Sequence, residues 1–192
     1  REAFKIEPSL AQLWERSEDG RTWTFELRPG LRWSDGTALT AQDVVFSFWA
    51  AMDPKVGSGA AAGLRDAGGG LPEVEARGGK VVFRLKGDHA LFLPAIASVF
   101  ILPAARWEKA WKAGSLAKSL GTDTPPDQVV ASGPFRLGAY EPGKRLTLER
   151  NPHSFLANVR GMRLPYLDRM EWRIASDYEE ALRWFQSGKV DV

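Results

Sequence analysis

Within residues 22–52 the spacing of apolar residues changes from every second residue to about every three and a half residues. This change limits the possible folds more than any other feature of the sequence. Residues 22–28 alternate, with one predicted inward face of Trp23, Phe25 and Leu27. An Asp-Gly turn at 34–36 follows, because Asp-Gly suits the positive φ that tight turns need. Helical spacing then gives a second apolar stripe, Val44, Val45, Phe48, Trp49 and Met52. The sequence therefore predicts a half-buried strand followed closely by an amphipathic helix.

Residues at each end of this helix predict where it begins and stops. Thr40 and Asp43 have the spacing of a capping box, with Asp in place of the usual Glu. Asp53-Pro54 stops the pattern, because the residue before proline avoids helical geometry.

The rest of the chain mixes strand and helix patterns without a strict alternation of the two. The predicted elements are a strand at 80–86, a short helix and then a buried strand within 92–102, a helix over 104–120, a hairpin over 135–148, a strand at 170–174, and a helix capped by Asp177 and Glu180 that carries Leu182, Trp184 and Phe185. This order predicts a mixed sheet in a fold of α/β or α+β class.

Two segments are predicted to be irregular. Residues 57–70 contain six glycines, which indicates a flexible loop with at most one helical turn. Residues 121–127 form a polar connection that contains proline, and this is the best candidate for a subdomain boundary.

Composition excludes several kinds of chemistry. The chain has no Cys, and its two histidines, His89 and His153, have no metal-binding spacing. No GxSxG motif surrounds a serine, and the glycine-rich loop lacks the Lys-Ser/Thr of a phosphate-binding loop. A net charge of +2 does not indicate a nucleic-acid binder, and no apolar run approaches the roughly 20 residues that span a bilayer. These observations predict a soluble module that binds or scaffolds, with no catalysis and no cofactor.

Carboxylates and tryptophans have structural explanations. Asp35 and Asp43 fit turn and cap positions, and Glu179 and Glu180 fit the first turn of a helix, where the dipole favours anions. Several of the eight tryptophans fall on apolar stripes, so we expect the tryptophans to pack in a core by default. Trp33 adjoins a turn, so the sequence does not decide whether it packs in the core or stacks on a ligand.

Residues 8–48 contain five consecutive motifs: a Leu-Ala-x-x-Trp-Glu opening at 10–15, a Ser-x-Asp-Gly turn at 17–20, a Thr-aromatic-Thr-Phe-x-Leu-Arg strand at 22–28, an aromatic before a polar residue and Asp-Gly-Thr at 33–37, and a Leu-Thr-Ala-x-Asp-Val-Val-aromatic-Ser helix at 39–47. Together these motifs resemble the signature region of the family 5 extracellular solute-binding proteins, the dipeptide-, oligopeptide- and nickel-binding components of ABC importers. The match extends over about 40 residues and is specific.

The resemblance resumes in the last third of the chain, at residues 132–135, 140–143, 146–152, 165–168 and 186–191. Relatives often have Asn-Pro-x-Tyr-Trp where this chain has His153-Ser154-Phe155, and a short basic insertion at 158–163 follows. Residues 57–79 have no clear match, in a region where relatives vary in length and ligand specificity.

The resemblance implies a two-lobed binding protein that closes on its ligand by a hinge motion. Residues 1–8 would lead in from an absent strand, residues 9–103 would form the small outer subdomain of lobe I, and residues 104–192 part of its main α/β subdomain. Lobe II would lie outside this sequence, so we expect a fragment that holds half a cleft at best.

The implied function is that of a periplasmic or extracellular subunit that binds di- to oligopeptides for an ABC permease. The expected partners are the solute and the permease, with no nucleic acid, with membrane association only through the permease or a lipid anchor, and with a monomeric state. Candidate ligand contacts are Gly57, Ser58 and Gly59 in the loop, and Ser132 and Gly133 at a strand entrance. For the latter pair, shaping the strand start is the simpler explanation.

Several alternatives remain open. Within the family, the ligand would be nickel, an opine or an oligosaccharide. In another class, the same module senses ligands in a transcriptional regulator, and an upstream helix-turn-helix would indicate that class. An enzyme is the third alternative, and it would require a nucleophile or metal cluster elsewhere.

Overall fold

A computed structural model describes residues 6–191 of the chain, which divide into two compact units. Unit 1 ends at Gly121 and unit 2 begins at Thr122. Both units combine helices with strands, so the predicted mixed α/β class is confirmed. The proposed subdomain boundary between residues 103 and 104 stays a prediction about the family architecture.

Unit 1 contains a four-stranded sheet in the order β1-β2-β4-β3, with every neighbouring pair antiparallel. The strands are β1 (Ala11–Arg16), β2 (Thr22–Leu27), β3 (Glu73–Arg77) and β4 (Lys80–Arg84). The alternation at 22–28 and 80–86 predicted β2 and β4, whose inward residues include Trp23, Val81 and Phe83. Strands β1 and β3 were not predicted. Both flank the central pair. In β1 the adjacent Leu13 and Trp14 interrupt the alternation, whereas β3 alternates but carries only the small apolar residues Val74 and Ala76 between charged ones.

Helix α1 (Ala41–Met52) packs on two sides. The predicted stripe faces the sheet, where Phe48 is fully buried against Phe83, with ring centroids 5.5 Å apart. Phe46 and Ala50 lie on another face and form a second cluster with Trp107 and Leu116. The single predicted stripe therefore describes only the side of α1 that faces the sheet.

Three further helices complete unit 1: α2 (Phe92–Ala97), α3 (Ala104–Lys112) and α4 (Leu116–Ser119). The helix predicted over 104–120 is interrupted, because Gly114 adopts φ +69° between α3 and α4. The buried strand predicted after α2 is wrong, since residues 98–103 form no strand.

Polar groups on α1 explain the irregular path of this segment. Ser47 Oγ accepts a hydrogen bond from the backbone N–H of Leu102 at 2.7 Å, and Asp43 Oδ1 accepts one from Ala104 at 2.8 Å. Pro103, between them, has no N–H to donate. The backbone N–H groups of this segment therefore donate to side chains of α1, and not to the carbonyls of a neighbouring strand.

The glycine-rich loop contains one 3-10 turn, Ala62–Leu64, as predicted. Leu64 is fully buried and packs in the core cluster of unit 1, which anchors the turn. Asp66 Oδ1 accepts hydrogen bonds from the backbone N–H groups of Gly68 and Gly70, at 3.0 and 2.6 Å. The loop is thus tied to the core at Leu64 and stabilised internally at Asp66.

Unit 2 contains an antiparallel sheet in the order β5-β6-β7, followed by helix α5. Its elements are β5 (Phe135–Glu141), β6 (Arg145–Arg150), β7 (Arg169–Arg173) and α5 (Tyr178–Gln186). The predicted hairpin, third strand and helix are all present. A bulge lies at Gly138, where a Cβ would come within 2.8 Å of Glu149 Cγ, so a larger residue there would have to displace the Glu149 side chain.

Helix α5 begins as predicted, because Asp177 Oδ1 accepts a hydrogen bond from the N–H of Glu180 at 2.8 Å. Glu180 in turn accepts one from the backbone N–H of Ser176, also at 2.8 Å. Of the apolar residues predicted on α5, Leu182 and Phe185 are exposed, with exposed fractions of 40% and 56%, and Trp184 is half-buried; Tyr178 is also exposed, at 80%. The sequence predicted the helix but gave no information about its exposure.

No helix within residues 6–191 is long and apolar enough to cross a lipid bilayer.

The Asp43 contacts lead to a prediction about stability. Replacing Asp43, which is 6% exposed, with Ala leaves the N–H of Ala104 without its acceptor and removes the cap of α1. We expect Asp43→Ala to lower the free energy of unfolding by about 2 kcal/mol. Urea unfolding followed by tryptophan fluorescence measures this loss. The exposed Asp88→Ala serves as the control and should change stability by less than about 0.5 kcal/mol. Equal effects of the two substitutions would contradict the proposed role of Asp43.

Candidate functional site

The first group of predicted contact residues lies in the loop that follows α1 of unit 1. Gly57 adopts φ +67°, and a Cβ at Gly57 or Gly59 would meet no atom within 4 Å. Ser58 Oγ accepts a hydrogen bond from the N–H of Ala60 at 3.3 Å, and the Ser58 carbonyl accepts one from Ala61 at 3.2 Å. Ser58 thus initiates the turn, while the two glycines leave open space beside the backbone.

The second group, Ser132 and Gly133, lies directly before β5 in unit 2. Asn151, which is 2% exposed, donates a hydrogen bond from Nδ2 to the Gly133 carbonyl at 2.8 Å. The Asn151 N–H donates to the Pro134 carbonyl at 2.9 Å. These bonds fix the entrance of the strand, so the structural role has a clear physical basis. A Cβ at Gly133 would again meet no atom within 4 Å.

The two groups therefore belong to different units. Within each group, the open space beside a glycine would let a ligand approach the backbone closely. Ligand contact by Gly57, Ser58, Gly59, Ser132 and Gly133 stays a prediction.

Sequence reasoning missed an apolar cavity in unit 1, with a volume of about 210 Å³. Its walls come from the sheet, from α1, from α2 and from the segment after α2. The aromatic lining residues are Trp14, Phe25 and Phe83, and the aliphatic ones include Val44, Val81 and Ile96. Alternation at 22–28 and 80–86 predicted that Phe25, Val81 and Phe83 face inward. The cavity itself depends on how α2 lies over the sheet, which no local pattern encodes.

The carboxyl groups with shifted pKa values are all shifted downward. Hydrogen bonds from Lys80 and Gln12 hold the pKa of Glu26 below its usual value, with Lys80 Nζ at 3.0 Å and Gln12 Nε2 at 2.6 Å. A hydrogen bond from Arg84 likewise lowers the pKa of Glu75. Because their pKa values are lowered, these carboxyl groups stay ionised at neutral pH and act as hydrogen-bond acceptors. A general acid needs the opposite shift, a raised pKa.

His89 takes part in local structure through its ring. His89 Nε2 lies 2.9 Å from the Gly63 carbonyl, and its ring contacts that of Phe92 with centroids 5.6 Å apart. These contacts link the 3-10 turn to the start of α2. Within residues 6–191, no three His, Asp or Glu side chains are grouped as metal ligands.

Most tryptophans pack in or against the core, as predicted. Trp23, Trp33 and Trp107 are buried, which places Trp33 inside despite its adjacent turn. Trp172 is an exception, since it lies on β7 with 47% of its surface exposed. The alternation of β7 was correct, but the face that carries Trp172 is open in unit 2.

Comparison with protein families gives a match to the bacterial extracellular solute-binding proteins, family 5 middle, over residues 5–192. The chain belongs to family 5 of the bacterial extracellular solute-binding proteins. The suspected resemblance is therefore confirmed, and it covers far more of the chain than the motifs that suggested it.

Individual family 5 proteins are similar along most of the chain. A probable ABC transporter-binding protein of Deinococcus radiodurans is 32% identical over 96% of this chain and 32% of its own length. The dipeptide-binding protein of Escherichia coli is 36% identical over 74% of this chain and 28% of its own length. The crystal structure of the ABC transporter substrate-binding protein CtaP of Listeria monocytogenes superposes with a TM-score of 0.80 at 29% identity, over 95% of this chain and 35% of CtaP.

The chain spans about a third of the length of the curated family 5 relatives that it matches. The structure of this chain thus corresponds to one portion of the family architecture.

The contacts of Asn151 allow a test of the structural role of the strand entrance. We expect Asn151→Ala to leave the Gly133 carbonyl without its buried donor, at a cost of about 1–3 kcal/mol in local stability. Amide hydrogen exchange should become faster at residues 135 and 150, which pair next to this site. His153→Ala, which keeps the backbone N–H that bonds to Asn151, is the control. Unchanged exchange in Asn151→Ala would show that Asn151 does not hold the entrance.

Proposed function

We propose that the protein is the solute-binding subunit of an ABC importer and that its solutes are di- to oligopeptides. The observation that carries this proposal is the family 5 match over residues 5–192, together with 36% identity to a dipeptide-binding protein. The bound peptide would lie in a cleft between two lobes, of which this chain supplies part of one. The protein would then deliver the peptide to a membrane permease, and it would need no catalysis and no cofactor.

The chemistry of peptide recognition agrees with the two predicted contact groups. A protein that binds varied peptides gains affinity from hydrogen bonds to the peptide backbone and from roomy side-chain pockets. Glycines with open space beside them let a peptide backbone come close, and Gly59 and Gly133 both have such space. Closure of the lobes would then exclude water from these hydrogen bonds.

The proposed location follows from the family, whose members are extracellular or periplasmic binding proteins. We propose that this protein acts there as a monomer, with the peptide and the permease as partners. Attachment to the membrane would come through the permease or a lipid anchor, and nucleic acid would have no role.

The proposed function predicts peptide binding by a protein that contains both lobes. Isothermal titration calorimetry and thermal-shift measurements with di- to pentapeptides should give saturable binding and a rise in Tm, because ligand that binds only the folded state stabilises it. Oligosaccharides, opines and Ni²⁺ form the comparison panel. A Tm rise with one of these solutes and with no peptide would refute the peptide assignment and leave the family assignment intact.

The chain of 192 residues alone is expected to bind peptides weakly, because half a cleft buries less of the ligand and cannot close over it. Calorimetry with the peptides that bind the two-lobed protein tests this expectation. Micromolar affinity for the 192-residue chain would contradict it.

The contact residues can be tested with substitutions that the fold tolerates. Gly59→Ala and Gly133→Ala add a methyl group into open space, so each should change Tm little. If a peptide backbone lies against these glycines, each substitution should weaken peptide binding by roughly tenfold, equal to about 1.4 kcal/mol.

Gly63→Ala is the matched control in the same loop, since a Cβ there makes only an ordinary contact of 3.5 Å with Ala95. Peptide affinity that is unchanged in Gly59→Ala and Gly133→Ala would remove both positions from the binding site.

A further inference from the structure

The cavity of unit 1 is open to solvent on one side, and its inner wall consists of side chains that are themselves well fixed. Val81 and Phe83 lie on the central strand β4 and are 0% and 1% exposed. Phe25 packs edge-on against Phe83, with ring centroids 5.7 Å apart. The inner wall is thus part of the packed core, which repacks only at a cost in stability.

The opposite wall is also held in place. It comprises Leu93, Ile96 and Ala97 of α2 and the segment that carries Val99 and Ile101. The end of that segment is anchored by the hydrogen bond from Leu102 to Ser47 and by the one from Ala104 to Asp43. These bonds fix the end of the segment where it enters α3.

The lining of the cavity is almost wholly apolar. Its side chains that can ionise or form hydrogen bonds are Glu7, Ser9 and the indole of Trp14, and both Glu7 and Ser9 are exposed, which places them at the mouth. The carbonyls of Ser9 and Leu10 already accept hydrogen bonds from Arg28. A ligand inside would therefore be held by apolar contacts and not by hydrogen bonds.

The volume sets the size of that ligand. An engineered cavity of about 150 Å³ lined by Leu, Ile and Phe stays dry and binds benzene. At about 210 Å³, the cavity of unit 1 has room for one aromatic ring with a short substituent, or for a branched aliphatic group of similar size. Three aromatic side chains in its walls, Trp14, Phe25 and Phe83, can contact a ring in edge-to-face geometry.

We infer that unit 1 contains a binding site for a small apolar molecule with a single ring, separate from the proposed peptide contacts at Gly57, Ser58 and Gly59. A free molecule suits it better than a peptide side chain, because a peptide backbone needs several hydrogen-bond partners and the lining is mainly apolar. The site does not depend on peptide transport, and either assignment can fail alone.

Toluene is the probe for this site, and methyl NMR of the 192-residue chain is the measurement. We expect saturable shifts of the methyl groups of Val81, Ile96, Val99 and Ile101, and none for Leu182 in unit 2. N-acetyl-phenylalanine amide presents the same ring on a peptide backbone and should bind at least roughly tenfold more weakly.

Two substitutions change the volume of the cavity in opposite directions. Ala97→Leu fills it from the last residue of α2 and should weaken toluene binding by roughly tenfold or more. Ile96→Ala enlarges it and should strengthen the binding of naphthalene relative to toluene, which keeps the test valid if Ala97→Leu is unstable. Phe100→Ala is the control, since Phe100 is 89% exposed and does not line the cavity.

The inference is overturned if these methyl groups do not shift up to the solubility limit of toluene. It is also overturned if Ala97→Leu and Phe100→Ala bind toluene with the same affinity as the unsubstituted chain. Equal affinity for toluene and N-acetyl-phenylalanine amide would reject the free molecule as the occupant.

Discussion

The carboxylate of Asp43 connects two parts of unit 1 that are far apart in sequence. One oxygen accepts a hydrogen bond from the N–H of Thr40 at 2.7 Å, which caps α1, and the other accepts one from Ala104 at the start of α3. Ser47, one turn further along α1, binds Leu102 in the same way. Because buried N–H groups need acceptors, the position of α3 and of the segment before it depends on these two side chains. The second cluster around Trp107 and one wall of the cavity depend on that position in turn.

Asp43 also shows how far sequence reasoning reaches. The capping box is a local pattern, and its spacing from Thr40 identified Asp43 as a helix cap. The bond to Ala104 spans 61 residues, and nothing near either residue predicts it. The buried strand expected after α2 failed for this reason: an apolar run indicates burial, whereas the hydrogen-bond partner of its backbone is decided by distant side chains. The pairing of β3 with β4 is a different case, because it is a local hairpin with the two-residue turn Gly78-Gly79, a signal that the sequence contains and that the interpretation overlooked.

For the candidate site, the sequence predicted residue types and the structure supplied their surroundings. Residues 57–59 and 132–133 were proposed as the cleft-facing edge of the architecture that the resemblance implies, and the structure adds the open space beside Gly57, Gly59 and Gly133. The role of Asn151 in holding the Gly133 carbonyl could not be predicted, because Asn-Pro indicates a turn and not which distant carbonyl the Asn side chain contacts. The cavity beside Phe83 was beyond prediction for a related reason. It is a gap between elements, and hydrophobic periodicity describes the face of one element at a time.

Burial differs sharply between the two units. The buried apolar residues of the described chain all lie in unit 1, whereas the buried residues of unit 2 are polar: Thr147, Asn151 and Ser154. Unit 2 instead exposes large apolar side chains on β7 and α5, including Trp172, Leu182 and Phe185. Burying such side chains supplies most of the free energy that holds a domain together, at about 1.5–3 kcal/mol for each one. Unit 1 therefore has the core of an independent domain, and unit 2 has the secondary structure of a domain without the buried apolar surface that would stabilise it. The curated relatives are about three times as long as this chain. For unit 2 to gain a comparable apolar core, the exposed apolar side chains of β7 and α5 are the ones that would have to become buried.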